Sequence, residues 1–212
     1  MADLKQGLTL SSEEHPPRRL VELAALAEAT GFDFVSISDH FHPWISEQGH
    51  SPFVWSVLGA IAQETERVEI GVGVTCPIGR IHPAILAQAV ATTSQLCDGR
   101  LVWGVGTGEW LNEHVILEAW PPQPERAAML EEAIKLIRRL WAEKSVTHRG
   151  EYFDVTDARI LDQPETPIPV IVSAFGPTAA EVAARTGDGL WVSGPDRKTI
   201  EKYRSEGGAG PV

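Results

Sequence analysis

The chain has 212 residues, 43% of them hydrophobic and 22% charged, which is typical of a globular protein with a substantial core. A net charge of −11 and a pI of about 5.1 argue against a nucleic-acid or anionic-membrane partner. No apolar run approaches the roughly 20 residues of a membrane span, and the N-terminus lacks a signal-peptide pattern. Cys76 and Cys97 form neither a disulfide framework nor a metal-type pair, so we expect a cytoplasmic protein.

The first half of the chain alternates predicted strands with predicted helices. Pro16 and Pro17 open the first helix, and Gly31 closes it as a C-cap. Strands that alternate with helices in this way favour a parallel sheet joined by right-handed crossovers. The strands are predicted at residues 7–11, 33–38, 68–74 and 101–105, and the two later helices at residues 52–63 and 83–96.

The second half continues this alternation after an interruption. A longer amphipathic helix is predicted at residues 125–141, followed by an excursion at about residues 145–168 that contains a predicted hairpin. Strands at residues 169–174 and 190–193 and helices at residues 178–186 and 196–205 complete the pattern. We therefore expect a single domain over residues 1–212 with six βα units. A doubly wound sheet can end after six units, whereas a closed (β/α)₈ barrel needs two more strands.

The sequence SDHFHPW, at residues 38–44, follows the second predicted strand. Asp39 and His40 therefore leave a buried strand at its C-terminal end, where parallel α/β proteins place their chemistry. The imidazole of His40 can exchange a proton near neutral pH, and the indole of Trp44 can grip a flat ligand. The alternative is a polar loop in which Asp39 caps a helix and His40 is a surface side chain.

A second polar loop, GTGEWLN at residues 106–112, follows the fourth predicted strand. Its glycines let backbone amides approach a ligand closely. Glu109 can donate a proton if the fold buries its carboxyl group. Alternatively, its negative charge can simply stabilise the positive end of a helix dipole. Because parallel strands end at the same edge of a sheet, we expect His40 and Glu109 to share one cavity. Two proton carriers beside an indole suit proton-coupled hydride transfer on a planar cofactor.

Two further segments are candidates for ligand contacts. Gly71 and Gly73 lie inside the third predicted strand, where glycine marks a bulge, the close approach of something flat, or tight packing. The small-residue turn at residues 173–178 can hold a phosphate at a helix N-terminus or be an ordinary turn. We expect no metal site, because His40 and His42 have no nearby cysteine or further histidine in sequence.

These motifs resemble the bacterial luciferase-like superfamily, and within it the coenzyme F420-dependent oxidoreductases of the glucose-6-phosphate dehydrogenase group. The resemblance extends from about Leu8 to the last residue. It implies a (β/α)₈ TIM barrel, which would be incomplete here, with about six βα units and without the last two strands; we also expect a homodimer. The motifs that carry it are SDHFHPW at residues 38–44, GVGTGEWLNE at residues 104–113, the glycine-rich third strand with its Thr75-Cys76-Pro77 exit, and RTGDGLWVSGP at residues 185–195.

The resemblance also implies roles around coenzyme F420, which would lie at the C-terminal ends of the strands. His40 would take the proton of the substrate hydroxyl, Trp44 would stabilise the reacting pair, and Glu109 would donate a proton to the reduced ring. Val74 would support the ring from a bulge that includes a non-proline cis bond. The implied cofactor-binding residues are Asp39, Gly73, Val74, Cys76, Thr107, Gly108 and Asn112, with Ala174, Phe175, Gly176 and Ser193 near the phosphate-bearing tail.

Two positions depart from the family pattern. Cys76 stands where the family often has threonine, and Pro195 stands where members that use a sugar phosphate have lysine. We therefore expect the substrate to be an alcohol or another hydroxylated small molecule. One alternative is an FMN-dependent monooxygenase of the same superfamily, and another is a truncated, non-catalytic module that assembles with a partner chain.

Overall fold

The computed structural model describes residues 4–212. Proline occupies the first turn of several helices, where its fixed φ is helical and its missing amide would have no helical partner. The strands are β1 (Gly7–Leu10), β2 (Phe34–Ile37), β3 (Glu69–Thr75), β4 (Leu101–Val105), β5 (Val146–Arg149), β6 (Asp154–Ala158), β7 (Val170–Ser173) and β8 (Gly189–Trp191). The helices are α1 (Pro17–Ala29), α2 (Val54–Glu64), α3 (Pro83–Leu96), α4 (Trp110–Glu113), α5 (Gln123–Ala142), α6 (Pro177–Thr186) and α7 (Arg197–Ser205).

Six strands form one parallel sheet in the order β1-β2-β3-β4-β7-β8. The strands follow their order in the chain, so the prediction of a parallel α/β architecture is confirmed. β5 and β6 pair with each other as an antiparallel hairpin outside this sheet. Glu132 of α5 anchors the hairpin, because its carboxylate accepts hydrogen bonds from the amides of Tyr152 and Phe153 at 3.2 and 3.0 Å.

The sheet is strongly curved. Neighbouring strands lie about 4.8 Å apart, so β3 and β8, which are three places apart in the sheet, would be separated by roughly 14 Å if it were flat. A Cβ atom added to Gly73 on β3 would nevertheless lie 2.8 Å from the indole of Trp191 on β8. The strands therefore bend around a common interior, and glycine is needed on β3 because Trp191 occupies that interior.

The core lies between the outer face of this curved sheet and the helices. Trp103 of β4 is fully buried there and meets Trp141 of α5 edge-on, with 5.7 Å between the ring centroids. The indole NH of Trp141 donates a hydrogen bond of 2.9 Å to the carbonyl of Ala87, which ties α5 to α3. This packing fixes the strands from outside and leaves their carboxyl ends free to carry the polar loops.

The loop after β4 differs from the prediction. The sequence predicts an irregular loop at residues 106–112, whereas the structure has the single-turn helix α4 beginning at Trp110. A single turn gives no periodic pattern of apolar residues and has little intrinsic stability. The structure agrees instead with the alternative given for Glu109, a carboxylate at the N-terminus of a helix, because Glu109 is the N-cap of α4.

Candidate active site

A cavity of about 430 Å³ opens at the carboxyl ends of β2, β3, β4 and β7. This volume is in the range of small-molecule sites. His40, which follows β2, and Glu109, which follows β4, both line it, so the two candidate proton carriers share one space. The rest of the wall consists of Asp39, Val74, Cys76, Gly106, Thr107, Gly108, Asn112, Glu113, Trp120, Gln123, Arg126, Ser173, Phe175, Gly176, Pro177, Thr178 and Ala179.

A buried carboxylate lies against the ring of His40. The Nδ1 atom of His40 lies 2.5 Å from Oε1 of Glu13, which belongs to the loop between β1 and α1. Trp44 meets the imidazole edge-on, with 4.9 Å between ring centroids and an angle of 89° between planes. With Nδ1 turned to Glu13, Nε2 is the ring nitrogen that remains to exchange a proton with a ligand.

Glu13 is suited to hold a charge beside this histidine. It is 3% exposed, and its Oε2 accepts hydrogen bonds from the hydroxyl groups of Ser38 at 2.9 Å and Ser11 at 3.2 Å. Burial alone would raise the pKa of Glu13, but His40 and the Ser38 hydroxyl together outweigh burial and lower the pKa to about 2. The carboxylate is therefore ionised at neutral pH.

Asp39 and Glu113 share one arginine. Nη2 of Arg80 donates to Oδ1 of Asp39 at 2.5 Å, and the Arg80 amide donates to Oε2 of Glu113 at 2.7 Å. Burial raises the pKa of Glu113, and the Arg80 amide and guanidinium oppose that rise. The other oxygen of Asp39, Oδ2, is buried and has no hydrogen-bond partner among residues 4–212. Because a buried acceptor is normally satisfied, this oxygen is placed to accept a hydrogen bond from a ligand.

Asn112 joins the two polar loops. Its Oδ1 accepts hydrogen bonds from the amides of Phe41 at 2.8 Å and His42 at 3.0 Å. The ring of His42 returns the contact through Nδ1, which lies 3.1 Å from the carbonyl of Leu111. The loop that carries His40 is therefore held against α4, directly after Glu109.

Glycines let the loop after β4 approach β3 closely. Gly108 has a φ of +72°, in the left-handed region, and an added Cβ would lie 2.4 Å from Sγ of Cys76. Burial raises the pKa of the Cys76 thiol, so this side chain is a neutral part of the cavity wall and not a nucleophile. On β3 the register shifts between Val72 and Thr75, and the peptide bond after Gly73 is cis. The expected bulge is therefore present beneath the cavity.

Four of the sequence-predicted site residues do not line the cavity, and a fifth lines it but is exposed. Trp44 is 54% exposed and reaches the site through its contact with His40. Gly73, Ala174 and Ser193 do not line the cavity: the first packs on Trp191, the second is buried, and the third is exposed. Glu109 lines the cavity but is exposed at the N-terminus of α4. The described residues therefore do not bury its carboxyl group, although the proposed proton donor was expected to be buried.

Sequence reasoning missed several polar residues of the site. Arg80 and Glu13 come from loops whose charges are indistinguishable from a solvated surface, and only the fold brings them to Asp39 and His40. Glu113 belongs to the motif at residues 104–113, so the sequence could have predicted that it lies near the site. The sequence could not have predicted that its side chain is buried. Trp120 and Arg126 belong to a segment that carried no recognised motif.

Within residues 4–212, no helix combines the length and apolar character that a membrane crossing requires. The same residues contain no group of three or more His, Cys, Asp or Glu side chains arranged to hold a metal ion.

Comparison with known proteins identifies relatives of this chain. A family model described as luciferase-like monooxygenase matches residues 1–208. The F420-dependent glucose-6-phosphate dehydrogenase of Amycolatopsis mediterranei (strain U-32) is 48% identical over 188 residues, which cover 88% of this chain and 56% of that protein. The chain therefore spans just over half the length of this relative.

Solved structures give the same picture. An F420-dependent secondary alcohol dehydrogenase in complex with an F420-acetone adduct matches with a TM-score of 0.91 and 38% identity, covering 95% of this chain and 63% of that chain. A second match is the coenzyme F420-dependent tetrahydromethanopterin reductase from Methanopyrus kandleri, with a TM-score of 0.82 and 24% identity. The match covers 99% of this chain and 63% of that chain, and at this identity it shows a shared fold alone. The curved six-stranded sheet is thus an incomplete luciferase-type (β/α)₈ barrel. The chain belongs to the luciferase-like monooxygenase family.

Proposed function

We propose that this chain carries the reaction centre of a coenzyme F420-dependent oxidoreductase, which transfers a hydride between a hydroxylated small molecule and the deazaflavin. The observation that carries the proposal is the shared cavity of His40 and Glu109, with His40 backed by the ionised Glu13. The names of the relative from Amycolatopsis mediterranei and of the secondary alcohol dehydrogenase support the choice of cofactor and reaction class.

The residues of the cavity fit a planar, hydrogen-bonding cofactor. The buried Oδ2 of Asp39, which has no hydrogen-bond partner within the described residues 4–212, can accept a hydrogen bond from the ring system, and the backbone at Gly108 leaves room that a side chain would fill. Val74 and Cys76 supply an apolar wall from β3. In this proposal Thr107 and Asn112 complete the ring site, and Phe175 and Gly176 lie toward the phosphate-bearing tail.

Bound F420 supplies a two-electron hydride acceptor at the deazaflavin ring. His40 accepts the hydroxyl proton of the substrate at Nε2, and Glu13 stabilises the resulting imidazolium through Nδ1. Trp44 packs edge-on against the imidazole. Glu109, at the same cavity, would donate the proton that the reduced ring takes up, while the hydroxyl proton stays on His40; the exposed carboxyl group of Glu109 would need the bound ligands for its desolvation.

The substrate proposed is an uncharged alcohol. Pro195 stands where a sugar-phosphate site would need a lysine, and the nearby cations Arg197 and Lys198 do not line the cavity. Among residues 4–212, the side chains around His40 are aromatic and carboxylate groups, and the nearby cation Arg80 is paired with Asp39 and Glu113; the other cation of the cavity wall, Arg126, lies on its far side beside Trp120. This arrangement favours a neutral hydroxyl compound over glucose 6-phosphate, although the Amycolatopsis relative is named for the latter.

An FMN-dependent monooxygenase is the second candidate, because the family model is described as luciferase-like monooxygenase. The test is to supply the purified chain with F420 and a panel of primary and secondary alcohols, and to follow the loss of oxidised deazaflavin absorbance. The proposal predicts alcohol-dependent reduction of F420 and no oxygen consumption with reduced FMN. Reduction only with glucose 6-phosphate would overturn the substrate class, and oxygen consumption with reduced FMN would favour the second candidate.

Four broader expectations belong to the same proposal. We propose that residues 1–212 act as one domain and that the protein works as a homodimer. We also propose that it is located in the cytoplasm and that it has no nucleic-acid partner. The acidic net charge supports the last point, and the two buried, unpaired cysteines Cys76 and Cys97 suit a reducing compartment. Sedimentation analysis would test the dimer, with a monomer at all concentrations as the contrary result.

A further inference from the structure

Glu113 is a carboxyl group of the cavity wall that the proposed reaction does not use. Its backbone amide donates a hydrogen bond of 3.1 Å to the carbonyl of Glu109, so the two residues lie one helical turn apart, and both line the cavity. Glu109 is exposed, whereas Glu113 is 1% exposed. An added Cβ on Gly79 would collide with Oε2 of Glu113, and one on Gly108 would lie 3.2 Å from its Cγ. Glycines on two sides therefore let this carboxyl group pack into the wall.

The charges around Glu113 do not balance if its carboxyl group and that of Asp39 are both ionised. Nη2 of Arg80 donates hydrogen bonds to Oδ1 of Asp39 at 2.5 Å and to the Asp39 carbonyl at 2.8 Å. Towards Glu113 the guanidinium presents Nε at 3.7 Å from Oε1, which is too long for a hydrogen bond. Two buried carboxylates beside one guanidinium leave a negative charge uncompensated, and protonation of one of them removes it.

Glu113 is the member of this pair that is suited to carry the proton. Arg80 pairs closely with Asp39 and so favours the charged form of Asp39. Oε2 of Glu113 accepts the amide of Arg80 at 2.7 Å, which leaves Oε1 to carry a proton. Burial raises the pKa of Glu113 and the charge of Asp39 adds to this rise, while Arg80 opposes it. The Cys76 thiol, which also faces Glu113, is neutral because burial raises its pKa.

We propose that Glu113 stores a proton at neutral pH and passes it to Glu109, which donates it to the reduced ring. The inference rests on the F420-dependent function proposed above, and it supplies a proton from inside the protein once bound ligands separate Glu109 from solvent. In this step the O–H bond at Oε1 of Glu113 breaks, an O–H bond forms on the Glu109 carboxylate, and Glu113 becomes ionised beside Arg80. After the products leave, solvent returns a proton to Glu113 through the exposed Glu109. The hydroxyl proton of the substrate remains on His40 throughout.

Infrared spectroscopy tests the stored proton without any ligand, because a protonated carboxyl group gives a C=O stretching band that ionised carboxylates lack. The proteins are the unmodified chain, Glu113→Gln, Glu109→Gln and the control Glu118→Gln, an exposed carboxylate after α4 that does not line the cavity. At neutral pH we expect a band in the unmodified chain that is kept in E109Q and E118Q and lost in E113Q. Absence of the band from the unmodified chain, or its persistence in E113Q, would overturn the proposal.

Single-turnover reduction of F420 by an alcohol then tests the transfer. We expect E113Q to slow this reduction by about tenfold or more with little change in the dissociation constant for F420. Glu113→Asp, which keeps a carboxyl group, should recover part of the rate, and E118Q should behave as the unmodified chain.

The contrary results separate the two proposals. A loss of F420 affinity in E113Q as large as its loss of rate would show a merely structural role and overturn the transfer. If the band belongs to Glu113 but E113Q reduces F420 at the normal rate, the transfer fails alone. If the unmodified chain reduces F420 with no alcohol, the proposed function fails and the transfer fails with it. Should E113Q not fold, E113D decides: it must shift the infrared band and slow the reduction without weakening F420 binding.

Discussion

The Nδ1 atom of His40 lies 2.5 Å from Oε1 of Glu13, so the imidazole proposed as the base is paired with a carboxylate from a different loop. Glu13 is buried and ionised at neutral pH, because His40 and Ser38 lower its pKa to about 2 against the opposing effect of burial. The pair places a negative charge directly beside the imidazole of His40. This relationship has consequences for catalysis and for stability.

Replacing Glu13 by glutamine should slow the reaction while leaving cofactor binding nearly unchanged. The amide keeps the size of the side chain but cannot stabilise an imidazolium, so we expect kcat to fall by roughly tenfold to a hundredfold. The matched control is Glu14→Gln, since Glu14 is the exposed neighbour of Glu13. A normal kcat in E13Q would show that the pair does not assist His40.

The same carboxylate should make stability depend on pH. Its pKa is lowered from 4.5 to about 2 on folding, so it contributes stability above pH 4.5 that is lost as the pH falls towards 2. Urea denaturation across this range should show a smaller loss of unfolding free energy in E13Q than in the unmodified chain, by up to about 3 kcal/mol. Parallel pH dependences for the two proteins would contradict the assignment.

Asn112 should be needed for the loop that carries His40. Asn112→Ala leaves the amides of Phe41 and His42 without their acceptor, which we expect to lower the unfolding free energy by about 2 kcal/mol or more. Asn112→Asp keeps an oxygen at the same place and should retain most of the stability. Thermal or urea unfolding of the two variants checks this, and equal losses would show that the acceptor oxygen is not what holds the loop.

Arg80 should be essential for keeping two buried carboxyl groups together. Arg80→Met leaves Asp39 and Glu113 without their shared cation, and we expect a loss of about 3 kcal/mol or more at neutral pH. Because burial raises the pKa of Glu113 and Arg80 opposes it, the variant should recover part of its stability as the pH falls and the carboxyl groups protonate. The exposed Arg67→Met is the control. A deficit that does not shrink at acidic pH would contradict this explanation.

The sequence predicted the regular elements well where local chemistry decides them. α3 and β4 have the bounds predicted for them, because a proline opens α3 and the Asp98–Gly99 turn, with positive φ at both residues, separates the two. The parallel order follows from the alternation of strands and helices. The curvature of the sheet does not follow from this alternation, because it depends on the contact between Gly73 and Trp191, which joins strands that are distant in the sheet.

The candidate site was predictable where it lies at strand ends. Asp39, His40, Thr107, Gly108 and Asn112 follow buried strands and do line the cavity. The partners that control these residues could not be predicted, since Glu13 and Arg80 are charged residues in loops without periodic or spacing signals. Their burial is a property of the assembled fold, and so is the exposure of Glu109.

We propose that a deazaflavin ring lies in the cavity between His40 and Glu109, hydrogen-bonded to Oδ2 of Asp39, which has no partner among residues 4–212. The most direct measurement is a fluorescence titration of F420 into the unmodified chain and into Asp39→Asn. We expect saturable binding of one F420 per chain, tighter than that of FMN and weakened about tenfold or more in D39N. The absence of F420 binding by the correctly folded chain, or an affinity unaffected by D39N, would contradict it.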